Sequence, residues 1–199
     1  MSSTTAKSGS LAKSRRGAGA AMPAVSSTFA NGGEPANARR KTKTKGILYQ
    51  RNKGVDAYVR AVAGATPMEI VEIERQGVLG AFIKDLSKRM EVPTSRIFNI
   101  LGVPKATAEK KAAAGELVSG SGGQAAVGTI KLLGIAQDIV RNSTAAEAKN
   151  FDAAKWLGQW IERPQPALGG RKPADLIDTP TGVEVVVRLL GAIESGAYQ

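Results

Sequence analysis

The chain has 199 residues, 28 Lys plus Arg against 17 Asp plus Glu, no Cys and no His, enough length for one or two small domains. Without Cys or His there is no disulfide, no thiol nucleophile and no His or thiolate metal site, so Ser-His-Asp hydrolases and His-ligated metalloenzymes are excluded and neither metal nor cofactor is expected. No stretch nears the roughly 20 apolar residues that span a bilayer, no membrane association is expected, and the lack of Cys fits a cytoplasmic location.

Charge is uneven along the chain. Residues 1–45 hold nine basic residues and one acid, Glu34, for +8, whereas 46–150 carry +4 and 151–199 carry −1. The first segment is built of Ser, Thr, Ala, Gly and Lys. It lacks the apolar side chains that would offset the entropy of ordering it, so a disordered basic arm is predicted. It reads equally as a solvated tail or as an arm that meets DNA phosphates without regard to sequence. A transit peptide fits less well, because its apolar residues show little helical period.

Residues 46–65 are ambiguous between helix and short strand, with Tyr49, Val55, Tyr58, Val59 and Val62 as the apolar positions. Thr66-Pro67-Met68-Glu69 spells a capping box with Pro at the first helical position, opening a helix that ends near Gln76-Gly77. A second helix is predicted from Val78 to Met90, since Leu79, Phe82, Ile83, Leu86 and Met90 recur at helical spacing. Pro93 stops it. The next helix starts near Thr94 and uses Ile97, Phe98, Ile100 and Leu101. Gly102-Val103-Pro104 turns the chain into another helix, Lys105 to Ala114, closed by Gly115. Ser119-Gly120-Ser121-Gly122-Gly123 reads as a flexible break before an apolar helix running to about Arg141. Two further helices are predicted near 151–162 and 180–195, so the fold class is all-α.

Ser95 to Thr107 has helix-turn-helix spacing, with Gly102 in the left-handed turn and Val103 as the buried turn residue. In that geometry the start of the second helix faces base edges while cations hold phosphates. Arg96, Lys105, Thr107, Glu109, Lys110 and Lys111 are the candidate DNA contacts. Pro104 sits where a Ser or Thr cap is usual, and the Ala-rich second helix has few side chains that could discriminate bases. Two packed helices with solvated lysines would produce the same pattern.

In the last fifty residues, Asn150 is placed to cap a helix carrying Trp156, Leu157, Trp160 and Ile161. A loop from Arg163 to Pro173 follows, stiffened by Pro164, Pro166 and Pro173, with Gly169-Gly170 allowing close approach of its backbone. Thr179-Pro180 then caps and starts a final helix whose apolar face holds Val183, Val186, Val187, Leu190 and Ile193. Enzyme motifs are weak. Gly120-Ser121-Gly122-Gly123-Gln124-Ala125 matches a dinucleotide fingerprint in letters only, because no strand precedes it. Glu72 and Glu74 lie on different helix faces. The chain is not expected to be an enzyme.

The run Trp156-Leu157, then Pro166-x-Leu168-Gly169-Gly170-x-x-Pro173-x-x-Leu176-Ile177-x-Thr179-x-x-Gly182-x-x-x-Val186-x-x-Leu189-Leu190-x-x-Ile193-Glu194-x-Gly196 resembles the toxin-binding domain of Xre/MbcA/ParS-type antitoxins. Thr66–Ala114 is similar to their Xre-like helix-turn-helix. Residues 158–163 lengthen the usual spacing, and Lys110-Lys111 stand where paired arginines are common. The resemblance implies three regions: the basic arm 1–45, an Xre-like helix-turn-helix domain 46–142, and a C-terminal toxin-binding domain 143–199. It implies an antitoxin of a type II toxin–antitoxin system whose partner is a RES-domain toxin, a glycohydrolase or ADP-ribosyltransferase that consumes NAD. The toxin's NAD cleft would be covered by Leu168, Gly169, Gly170, Arg171, Lys172 and Pro173, with Glu194, Tyr198 and Gln199. It further implies operator DNA as a second partner, autorepression, and a homodimer within a toxin–antitoxin hetero-oligomer. The competing expectation is a stand-alone DNA-binding repressor or nucleoid-type protein.

Overall fold

The computed structural model describes residues 46–194, and the expectations for the basic arm, Gly196, Tyr198 and Gln199 lie outside them. Among the described residues the chain is nearly all helix, as its patterning implies. The ambiguous segment resolves as α1 (Gly54–Ala63), with Val55, Tyr58, Val59 and Val62 buried on one face. Tyr49, just ahead of it, packs edge-on against Tyr58 and Phe82 at ring-centroid distances of 5.6 and 5.0 Å.

The capping box forms as spelled. The Glu69 amide donates to Thr66 Oγ1 at 3.3 Å, and Glu69 Oε2 accepts from the Thr66 amide at 2.8 Å, opening α2 (Pro67–Gln76). The helix predicted from Val78 starts two residues later, as α3 (Gly80–Arg89). Val78 and Leu79 instead form β1, paired antiparallel with β2 (Leu117–Val118) in the register Val78 to Val118 and Leu79 to Leu117. Extended backbone there buries Val78 and satisfies main-chain groups across the pair, and helical spacing of the same side chains could not reveal it. The helix-turn-helix pair follows as α4 (Thr94–Ile100) and α5 (Lys105–Ala114).

The predicted flexible break is helical instead. Only Ser119 lies outside α6 (Gly120–Asn142), the longest helix of the described residues. Gly122 and Gly123 are buried because neighbouring chain occupies the space a side chain would need. A Cβ on Gly122 would collide with Val103 Cγ2, and one on Gly123 would stand 2.6 Å from the Val118 carbonyl oxygen. Tight packing offsets the entropic cost that glycine brings to a helix.

The chain then forms α7 (Ala153–Trp160) and α8 (Pro180–Glu194). The residue that caps α7 is Asp152 rather than Asn150. Its Oδ1 accepts from the amides of Ala154 and Lys155, both at 3.1 Å, while Asn150 belongs to a preceding 3-10 turn. Thr179 caps α8 as expected, its Oγ1 accepting from the Gly182 amide at 3.1 Å.

The buried side chains form a single cluster running from Tyr49 to Leu190, and the described residues fall within one compact unit. Helix α6 is its axis, with α1, α2, α7 and α8 packed along it, while α3 packs against α1, α4 and α5. Among the described residues no helix is long and apolar enough to cross a membrane.

Candidate functional site

The segment between α7 and α8 is a folded loop rather than a slack connector. Its hub is Gln165, which is buried. The Gln165 amide donates to the Arg171 carbonyl at 2.9 Å, and the Gln165 carbonyl accepts from the amides of Leu168 and Gly170, both at 3.0 Å. Its side-chain amide donates to the Arg163 carbonyl at 3.2 Å. A 3-10 turn over Pro166–Leu168 fits inside this frame, and Gly169 and Gly170 then turn the chain with φ of 64° and 79°. No neighbouring atom lies within 4 Å of where their Cβ atoms would be, so these glycines serve the turn and leave the tip open to a partner. Beyond the tip, the Ala174 amide donates to the Ile161 carbonyl at 2.9 Å, tying the loop back to the end of α7.

An ion-pair network holds the base of the loop. Arg96, on α4, donates through Nε to Glu162 Oε1 at 2.6 Å and through Nη2 to Glu162 Oε2 at 3.2 Å. Lys172 Nζ reaches the same Oε2 at 3.3 Å, and Arg96 Nη2 lies 3.6 Å from Asp175. The Arg96 hydrogen bond holds the Glu162 carboxyl below its ordinary range, with the Arg96 charge and Lys172 acting the same way against the opposing effect of burial. A second network sits under the other end of α7. Arg89 donates to both Asp152 oxygens at 2.7 and 2.8 Å and to Asp56 at 3.0 Å, and Gln137 Nε2 donates to Asp56 at 2.9 Å. Burial acts to raise the Asp152 carboxyl, but the Lys155 amide and the Arg89 guanidinium outweigh it and lower it.

The residues expected to meet a toxin divide by exposure. Gly169, Gly170 and Arg171 form the exposed tip, and Arg171 makes no ion pair among the described residues. Leu168 packs against the core from a half-buried position, Pro173 is buried, and Lys172 is engaged by Glu162. Glu194 is the last residue of α8. Sequence reasoning missed Gln165, Glu162, Asp175 and Asp152. A glutamine between two prolines gives no sign that it will organise four main-chain groups.

The helix-turn-helix geometry has the left-handed Gly102 at φ 63° and the buried Val103. Lys105, Thr107, Glu109 and Lys110 are exposed on α5, whose Ala108 is buried. Lys105 lies 3.9 Å from Glu109 one turn on, a weak surface pair. Lys111 is turned inward, Nζ donating to the Leu117 carbonyl of β2 at 2.8 Å, and Arg96 is committed to Glu162 and Asp175. Pro104 offers α5 no side-chain cap. Among the described residues no acidic cluster is arranged to hold a metal ion.

Two comparisons fit this arrangement. A family described as the antitoxin Xre/MbcA/ParS C-terminal toxin-binding domain matches residues 145–196, the span of α7, the loop and α8. The Prs ADP-ribosylating antitoxin of Sphingobium sp. (strain YBL2) is 35% identical over 154 residues, which cover 77% of this chain and 96% of that protein. The loop that the fold holds open thus falls inside a toxin-binding segment, and the chain belongs to the Xre/MbcA/ParS family of antitoxins, proteins whose partner is a toxin.

Proposed function

We propose that this antitoxin neutralises a RES-domain toxin that consumes NAD, as a glycohydrolase or an ADP-ribosyltransferase, by covering the toxin's NAD cleft with the loop between α7 and α8. The observation that carries the reading is the open Gly169-Gly170-Arg171 tip on a hydrogen-bonded frame. A loop already ordered loses little entropy on docking, and an exposed Arg suits an acidic surface on the toxin. The Sphingobium relative is named for ADP-ribosylation, a chemistry that draws on NAD. Leu168, Lys172 and Pro173 support the tip from inside, and Glu194, Tyr198 and Gln199 complete the contact. The antitoxin needs no cofactor of its own in this scheme, and it acts in the cytoplasm.

The helix-turn-helix serves operator binding and autorepression, with the antitoxin as a homodimer inside the toxin–antitoxin assembly. Lys105, Thr107 and Lys110 supply the exposed contacts of α5. Purified antitoxin mixed in equal amount with the RES-domain toxin of its own operon should stop NAD turnover, and continued NAD loss would overturn the proposal. The stand-alone repressor reading rests on the same exposed α5 face. Replacing Lys105 and Lys110 by Ala separates the two, since operator binding should weaken while NAD turnover stays blocked.

A further inference from the structure

We propose that Arg96, although it belongs to the first helix of the helix-turn-helix, is a positioning residue of the docking loop, acting through Glu162 to hold Lys172 and the base of the Gly169-Gly170 tip. The inference rests on the reading that this loop meets the toxin. It starts from reach: Arg96 lies 66 positions before Glu162 in the chain, yet grips both of its carboxylate oxygens. The carboxylate is then shared with Lys172, which flanks the tip, and the same guanidinium faces Asp175 just beyond. A planar guanidinium can bind one carboxylate at two points and still offer a nitrogen to a second, which a Lys ammonium cannot do with fixed geometry. Arg96 therefore spans both sides of the loop at its base. Its side chain keeps 35% exposure and that of Glu162 28%, so the network contributes modestly to global stability and mainly fixes direction.

The same geometry changes the expected division of labour in the molecule. A cation satisfied by two carboxylates is poorly placed to neutralise a DNA phosphate, so its loss should affect the toxin face more than the DNA face. Through this pair α4 and the docking loop are joined by side chains as well as by packing, although they belong to different parts of the family pattern.

The test uses the full chain, first alone and then with the RES-domain toxin of its operon. Arg96→Ala should lower the hydrogen-exchange protection of the Gln165, Gly170 and Arg171 amides by about fivefold to tenfold. It should also weaken toxin binding by about tenfold while leaving the protection of α6 amides unchanged. Arg96→Lys should restore only part of both effects, and Glu162→Gln, which keeps the shape, should reproduce the loosened loop if any Arg96 variant fails to fold. Arg171→Ala is the control for the underlying reading: it should weaken toxin binding with no change in loop protection. Unchanged loop protection in Arg96→Ala and Glu162→Gln would overturn the positioning role. The same holds if the loop loosens and Arg171→Ala weakens the toxin complex, yet Arg96→Ala binds toxin as well as the parent. If the loop loosens but neither Arg171→Ala nor Arg96→Ala affects toxin binding, it is the docking reading that falls.

Discussion

Asp152 performs two tasks with one carboxylate, capping the first turn of α7 and receiving Arg89 from α3. The ion pair with Arg89 needs the charged form and the cap is strengthened by it, as the Arg96–Glu162 pair also needs charge, and both carboxyls sit below their ordinary range. A carboxyl lowered in the folded state contributes stability that is present above its unfolded pKa and is lost as pH falls through the folded one. The chain has no His to titrate between pH 5 and 8. Thermal melts should therefore be nearly flat from about pH 6 to 8 and decline below about pH 4, where ordinary carboxyls take up protons. Asp152→Asn keeps an acceptor for the cap but drops the charge, so its melting temperature should decline less steeply on the acid side than the parent's. An equal decline would show that other carboxylates dominate. The capping box at Thr66 was legible because all its members lie within four residues. The sequence does not single out Asp152 over Asn150, because a cap depends on where the chain turns inward, and Arg89, 63 positions away in sequence, helps to settle that.

At the level of elements, periodicity placed the helices well and erred where glycine or a long-range pairing decided the matter. Helix α5 runs from Lys105 to Ala114 as expected, since strong helix formers lie between a proline and a left-handed glycine. The start of α6 was unreadable because glycine-rich sequence looks the same whether it is loose or tightly packed. The two alternatives differ in one substitution. In a loose segment Gly122→Ala would stabilise, by limiting the unfolded chain and favouring the helix, by up to about 1 kcal/mol. Here the new methyl meets Val103 in the helix-turn-helix turn, and overpacking of that kind costs about 1–3 kcal/mol. Urea titration should show a lowered midpoint for Gly122→Ala, with part of the loss recovered in the double variant Gly122→Ala, Val103→Ala. A raised midpoint in the single variant would return the segment to a flexible break. The docking loop was legible as a connection stiffened by prolines whose glycines allow close approach of the backbone, but not the frame around Gln165, since main-chain hydrogen bonds leave no mark on side-chain identity.

For the molecule as a whole, the shared core decides how it unfolds. Val183 of α8 packs where α6 has Gly128, and Leu157 and Ile161 join the same buried cluster as Phe82 and Ile130. A unit with one continuous core should unfold in one step. Circular dichroism, which follows every helix, and tryptophan emission, which follows α7 alone, should give coincident urea curves. An earlier transition in the tryptophan signal would mean that the toxin-binding segment melts by itself. Cooperativity of this kind bears on the antitoxin's work, because unfolding of α7 and α8 would then take the helix-turn-helix with it, whereas local motion of the loop would not.

Both tryptophans of the chain lie on α7, stacked with ring centroids 5.7 Å apart and planes 18° from parallel, and Phe151 sits tilted against Trp156 at 6.1 Å. Two indoles held so near one another share their excited states, and the chirality of the helix imprints on the shared transition a paired positive and negative band in the ultraviolet. That split signal vanishes if either ring swings away. The signal thus reports, on the unlabelled protein and by light alone, whether the helix that leads into the docking loop keeps its packing.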